Sequence, residues 1–288
     1  MLTATVLQVV IGGLLLGAVY ALFASGLTLI WGMMNVINFA HGDFVMLAMY
    51  VAFVLFSTFG IGPAGAVPIA AVVLATLGIV VYFALVRHVM KGPMLAQILG
   101  TFGLALFIRY GVFWYFGADF HSLPDNLVGG TFEWGGIRIP ASRLLAGVIA
   151  ILVTAGLHLL LTRTALGSRI LAVAEDAVAA QLMGIRPQRM QAVAWALAAG
   201  ATGIAGALIA TFFYISPTVG ESLAIVAFVT VSLGGFGSVP GALVAGLLIG
   251  VIESLSAFYI GAVWKDVVTY SLFVLVLWTR PQGLLGKA

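Results

Sequence analysis

Charged side chains are rare in this chain, and those inside its apolar runs are the first candidates for chemistry. Of 288 residues, 12 are Lys or Arg, 9 are Asp or Glu and 4 are His. Asp43 and Glu221 stand at the starts of apolar segments, Glu253 lies in the middle of one, and Arg109 lies some two turns from the end of another. A charge at the centre of a bilayer costs on the order of 3 kcal/mol by insertion scales, so each of these groups needs a partner or a wet surface. An acid at a segment start suits a helix N-terminus, whose dipole favours negative charge. It equally suits the wall of a polar pathway. Glu253 and Arg109 can pair with each other or face separate polar crevices, and Arg109 can snorkel. His158, about one turn from the inner end of its segment, reads as an interface histidine rather than a proton relay.

No catalytic constellation stands beside these groups. There is no G-x-x-x-x-G-K-[ST] stretch to cradle ATP phosphates, and Gly283-Leu-Leu-Gly-Lys287 is too short to serve. There is no H-E-x-x-H, and four scattered histidines do not build a metal site. With no cysteine, disulfide and thiolate chemistry are excluded. No cofactor is expected. The net charge of +3 needs no nucleic acid to explain it, because the basic residues gather at the borders of apolar runs.

A second concentration of charge lies between Arg163 and Arg189, where Arg163, Arg169, Glu175, Asp176, Arg186 and Arg189 fall in one segment. The spacing predicts a helix over 168–185. Leu171, Ala174, Val178, Leu182 and Ile185 form an apolar stripe, Arg169 and Asp176 lie opposite, and Glu175 borders the stripe. Gly167 precedes this helix, Gly184 sits near its end and Pro187 stops it. Such a helix either lies in the membrane interface or docks in a groove of a cytoplasmic partner.

The elements that must hold these residues are membrane helices. Hydrophobic residues make up 63% of the chain and charged ones 7%, too little polar surface for a soluble domain. Successive apolar runs of about 20 residues match the bilayer core. The expected fold is an all-α polytopic membrane protein, a single transmembrane domain over 1–288 with a loop at 163–190. Nine segments are expected, at about 6–31, 44–59, 67–86, 95–116, 144–161, 191–215, 222–233, 242–262 and from Lys265 to Arg280-Pro281. The second and seventh are short enough to be re-entrant or broken. The first apolar run follows no basic region and is expected to remain as a span. Gly13-xxx-Gly17 permits close helix approach, and Gly200, Gly203 and Gly206 suit tight packing. Asp119, Asp125 and Glu133 mark a polar loop.

Ile37-Asn-Phe-Ala-His-Gly-Asp43 and Ile215-Ser-Pro-Thr-Val-Gly-Glu221 share a pattern of Ile, small polar residue, three variable positions, Gly and acid. Each precedes an apolar run that ends in a Gly/Pro cluster. Two such interrupted segments in corresponding positions point to a transport pathway, with Asn35, Asn38, His41, Asp43, Ser216 and Glu221 as its candidate lining. The plainer reading is that Gly and Pro end helices in any such protein. For orientation, Arg87, Lys91, Arg163, Arg169, Arg186, Arg189, Arg280 and Lys287 can share one side, with Arg138, Arg143 and Lys265 on the other. The richer side is expected to be cytoplasmic, with the N-terminus outside and the C-terminus inside.

Three stretches carry a resemblance: Gly26-Leu-Thr-Leu-Ile-Trp-Gly-Met-Met-Asn35-Val-Ile-Asn38-Phe-Ala-His-Gly42; Thr164-Ala-Leu-Gly167-Ser-Arg169-Ile-Leu-Ala172 with Ala180-Gln-Leu-Met-Gly184-Ile185; and Gly234-Gly-Phe-Gly-Ser238-Val-Pro-Gly241-Ala242. Over nearly its whole length the chain resembles the LivH-type membrane permeases of branched-chain amino acid ABC importers. The resemblance implies a bacterial inner-membrane subunit that works with a second, similar permease, two cytoplasmic ATPase subunits and a periplasmic binding protein. It also implies that the loop helix is the coupling helix, with Gly167, Arg169, Ala172, Glu175, Asp176, Ala180 and Gly184 at the ATPase contact. Glu175-Asp-Ala177 with Gly184 is a degenerate form of the acid-alanine-glycine pattern of ABC permeases, lacking the full E-A-A triplet. A self-sufficient channel or secondary transporter for a small solute such as urea or an amide is the competing reading, disfavoured by the lack of a chain of acids for a proton relay.

Overall fold

A computed structural model describes residues 2–123, 128–134, 136–280 and 282–286. Asp125 and the terminal Pro281 and Lys287 lie outside the described residues. Among the described residues eleven helices follow one another: α1 (Leu2–Met34), α2 (His41–Phe59), α3 (Pro63–Val89), α4 (Met94–Phe116), α5 (Ala141–Arg163), α6 (Ala165–Glu175), α7 (Ala177–Leu182), α8 (Pro187–Ile209), α9 (Val219–Gly234), α10 (Val239–Tyr259) and α11 (Lys265–Thr279). Seven are long and apolar enough to cross a membrane, and α9 is a shorter apolar helix. The chain is an all-α polytopic membrane protein. Each of the nine expected segments corresponds to a helix, though the helices begin and end up to six residues from the expected limits.

Helix ends fall where backbone chemistry requires them. Gly60 closes α2 in the left-handed region at φ 64°, a conformation that glycine adopts without penalty. Proline occupies the first turn of α3, α8 and α10, where its missing N–H has no intrahelical partner to lose. One element is not helical. Thr131–Trp134 (β1) and Ile137–Pro140 (β2) form an antiparallel hairpin in the polar loop, pairing Glu133 with Arg138 in register and by an ion pair at 2.8 Å.

Small residues set the packing at the centre. Gly13 and Gly17 of α1 face Gly246 and Gly250 of α10, a second four-residue glycine spacing that the expected Gly13-xxx-Gly17 face requires as its complement. A Cβ on Gly13 would lie 2.6 Å from the Gly250 carbonyl oxygen, so only glycine permits this approach. A Cβ on Gly203 of α8 would lie 2.6 Å from the Ala70 oxygen of α3, and one on Gly206 would lie 2.6 Å from the Ala48 Cβ of α2. Helix α8 is accordingly the most enclosed element, with most of its residues from Ala198 to Ile209 buried. Helix α4 is peripheral: Thr101, Ala105 and Val112 are its only buried residues.

The 168–185 helix is divided. α6 ends at Glu175, and the Asp176 carboxylate caps α7 by accepting from the backbone N–H groups of Val178 (2.8 Å) and Ala179 (2.9 Å). The break shifts the helical phase. The buried face is Gly167, Ile170, Val173 and Ala180, whereas Leu171, Val178 and Leu182 of the expected stripe are exposed, Leu182 by 84%.

Candidate translocation site

The first interrupted element rises from the end of α1. Asn35 takes a left-handed conformation at φ 52°, which Asn tolerates better than most side chains. Residues 35–38 then take no regular structure and residues 39–40 turn into α2; Val36, Asn38 and Ala40 are buried while Asn35 and Phe39 are exposed. Non-helical backbone at membrane depth must be satisfied by protein or line a cavity. Here Thr101 Oγ1 of α4 donates to the Ile37 carbonyl at 2.9 Å, and Asn38 Oδ1 accepts from the Ala40 N–H at 3.2 Å. His41 opens α2 and its Nε2 donates to the Phe23 carbonyl at 2.8 Å. Phe23 lies 11 residues before the end of α1, roughly 16 Å at 1.5 Å per residue. α2 is long enough to cross on length alone, yet it begins level with the middle of α1.

The second interrupted element mirrors this placement. After α8 the chain turns through Ile215, which bridges to His121, and Ser216, whose Oγ lies 3.2 Å from Thr218 Oγ1. α9 then starts against the first turn of α2. Gly42 is packed on Gly220 and Ala224, and a Cβ on Gly220 would lie 2.9 Å from Asp43 Oδ1. From there α9 runs beside residues 31–40: Phe39 packs on Phe228 with ring centroids 5.3 Å apart, and Trp31 on Phe236, just past the end of α9, at 4.6 Å. The matched Ile37–Asp43 and Ile215–Glu221 stretches therefore deliver two helix starts to the same depth.

Arg109 joins them. Its Nε donates to Asp43 Oδ1 at 3.1 Å and its Nη1 to Glu221 Oε2 at 2.9 Å, with Nη2 3.4 Å from Asp43 Oδ2. The Asp43 side chain is fully buried, Arg109 is 19% exposed and Glu221 is 65% exposed. Two acids and one guanidinium leave one net negative charge, and its solvent-facing part is on Glu221. A carboxylate so exposed at this depth is stable against water or another protein, not against lipid. Arg109 thus neither snorkels nor meets Glu253, which pairs with Lys265 at the other end of α10. Phe39, next to the start of α2, packs against Phe102 of α4 and Phe228 of α9.

The six expected pathway residues divide into four places. Asp43 and Glu221 meet in the triad. Asn38 and His41 hold the start of α2 from its buried side, and Asn38 Nδ2 is buried with no hydrogen-bond partner among the described residues. Ser216 is buried where the chain enters α9, while Asn35 lines a separate cavity of about 660 Å³ with His158, Glu175 and Ser238. That cavity lies between the end of α1, the glycine-rich 234–241 stretch and α6, so it links the interrupted element to the charged loop. Within the loop, Thr164 Oγ1 caps α6 by accepting from the Gly167 N–H at 3.1 Å, and Gly167 is pressed on the carbonyls of Leu160 and Leu161. Arg169, Glu175, Asp176 and Gly184 are exposed, Ala172 is half-buried and Ala180 buried.

The whole-chain comparison matches this architecture to known proteins. Residues 9–277 match the family described as branched-chain amino acid transport system / permease component. The chain is 32% identical to the high-affinity branched-chain amino acid transport system permease protein BraD of Pseudomonas aeruginosa, covering 98% of this chain and 96% of that one. It is also 32% identical to the LivH permease of the corresponding system in Escherichia coli, with the same coverage. The LivM permease of Escherichia coli is 27% identical over 93% of this chain and 68% of its own length. No solved structure matches. Together with the paired helix starts, these matches identify the chain as a member of the branched-chain amino acid transport system permease family.

Proposed function

We propose that this chain is one membrane subunit of an ATP-driven importer for branched-chain amino acids, and that solute crosses beside the Arg109–Asp43–Glu221 triad. The carrying observation is the exposed Glu221 carboxylate at the depth where α2 and α9 begin. Zwitterionic solutes suit this wall. A solute ammonium is drawn to the net negative triad, and the solute carboxylate meets Arg109 donors not committed to Asp43 or Glu221. Asn35, Asn38, His41 and Ser216 shape the path by fixing the two helix starts.

In this reading a second permease of the same family covers the exposed side of the triad, where Glu221 stands. Both LivH and LivM of Escherichia coli resemble the chain, which supports a pair of related subunits. The sequence carries no phosphate-binding loop, so force must enter from two partner ATPases. The exposed Val178, Leu182 and Met183 with Arg169, Glu175, Asp176 and Gly184 supply a contact surface for them. A periplasmic binding protein would deliver solute to the opposite end.

The test is uptake of labelled leucine, isoleucine, valine and urea by proteoliposomes holding the whole complex. ATP-dependent uptake of the three amino acids, reduced at least tenfold by Glu221→Gln with assembly intact, is expected. Uptake by this chain alone, without ATPases, would return it to the class of self-sufficient channels.

A further inference from the structure

A second polar cavity lies at the end of the bundle opposite α6 and α7. It encloses about 490 Å³ between the outer ends of α1, α5, α10 and α11. Its rim carries Arg138 of β2, Arg143 in the first turn of α5 and Lys265, which opens α11. Gln8 accepts from the Arg138 backbone N–H at 3.3 Å and ties α1 to this rim. Beyond the rim the wall is apolar: Leu15 and Leu16 of α1, with Phe212 across from them. Gly12 sits between the polar and apolar parts, and a Cβ there would meet nothing within 4 Å, so the groove stays open along α1.

The charges of this cavity do not cancel. Glu253 is the single acid in its lining among the described residues, is buried, and is already paired with Lys265. Arg138 is paired with the exposed Glu133. Arg143 lies over the Phe212 ring at 5.5 Å and faces no carboxylate among the described residues. Glu253 and Glu133 thus offset Lys265 and Arg138, which leaves Arg143 as the rim cation without a carboxylate partner among the described residues. Such a guanidinium above an apolar groove is complementary to an amphiphile with an anionic head.

We propose that this cavity binds the phosphate head of an anionic membrane lipid, with an acyl chain laid along Gly12 and Leu16 of α1. A bidentate guanidinium–phosphate contact at Arg143 supplies charge selectivity, and the apolar groove supplies chain contact. An acidic patch on a soluble partner would satisfy the rim but leave the apolar wall unused, which is why lipid is the favoured occupant. The site is independent of the triad and of the transport reading.

The test uses the full chain purified in a zwitterionic detergent, read by thermal unfolding and by native mass spectrometry. Phosphatidylglycerol should raise the unfolding midpoint by roughly 5 °C at saturation and remain bound at one per chain. Phosphatidylcholine of the same acyl chains should not. Arg143→Gln should remove most of the shift and the retained lipid, and Arg138→Gln should reduce both. Arg163→Gln, an equal charge change at the far end, should leave them intact. Equal stabilisation by both lipids, a full response in Arg143→Gln, or the same shift from inorganic phosphate alone would each overturn the assignment. Loss of binding-protein docking in Arg143→Gln, with lipid retention unchanged, would reassign the rim to a protein contact.

Discussion

At the scale of single residues, the triad divides into a buried pair, Arg109 with Asp43, and an exposed acid, Glu221, on which the proposed pathway relies. Arg109 and Asp43 form a buried contact, so Arg109→Ala strands a carboxylate with no water to solvate it and should cost roughly 3 kcal/mol. Adding Asp43→Asn to Arg109→Ala should restore much of that loss, a coupling that a double-mutant cycle of thermal stability reads directly. Glu221 is 65% exposed, and exposed pairs contribute about 0–1 kcal/mol, so Glu221→Gln should barely move stability while it reduces uptake. Equal stability losses in Asp43→Asn and Glu221→Gln would contradict this division. The acids were legible in the sequence because a carboxylate in an apolar run is costly and therefore conspicuous. Their partner was not: Arg109 lies 66 residues from Asp43 and 112 from Glu221, and spacing carries no information over such distances. The same limit left Glu253 open to Arg109, whereas Lys265, 12 residues on, reaches it around the end of α10.

At the scale of elements, close contact between helix starts decides where α2 and α9 begin. A Cβ on Gly42 would lie 2.7 Å from the Ala224 Cβ and closer still to α9 backbone, which has nowhere to retreat. Gly42→Ala should therefore part the two helix starts and lower folded yield and uptake. Gly111→Ala, in open space on α4, should be neutral or slightly stabilising because alanine is the better helix former. Comparing the two by size-exclusion yield checks that the cause is contact and not glycine loss in general. In the loop, Asp176→Ala removes the acceptor of two backbone N–H groups and should cost about 1 kcal/mol, read as faster hydrogen exchange over 177–182. The sequence marked this loop as helical, which holds, but its bounds move: Thr164 caps α6 and Gly167 falls in its first turn, while α7 ends at Leu182 and Pro187 opens α8. It missed the break because Asp176 reads as one more polar residue on a helical face. Its side chain becomes a cap only where α6 has ended, at Glu175.

At the scale of the whole molecule, the two ends of the bundle differ in charge. Tyr82 of α3 donates to Gln191 of α8 at 2.7 Å, which sets Arg87 beside the arginine-rich loop, and Leu285 shares the lower cavity with α6. Arg87, Lys91, Arg163, Arg169, Arg186, Arg189 and Arg280 therefore lie toward one end. Arg138, Arg143 and Lys265 surround one cavity at the other. This segregation was readable from the sequence because alternating spans carry successive loops to opposite faces. Sequence alone could not show that the three minority cations converge. The excess of cations beside spans is retained in the cytoplasm, so the end bearing α6 and α7 is expected inside and the start of α1 outside. The chain has no cysteine, so single cysteines report sidedness without background. Ser168 of α6 and Asp119, beyond the end of α4, are both exposed and lie at opposite ends. In intact cells, a membrane-impermeant maleimide should label Ser168→Cys only after the membrane is opened and Asp119→Cys without opening. Labelling of Ser168→Cys from outside would invert the molecule, placing the triad's approach path, the lipid cavity and the exposed α7 surface on the wrong sides for an importer driven from the cytoplasm.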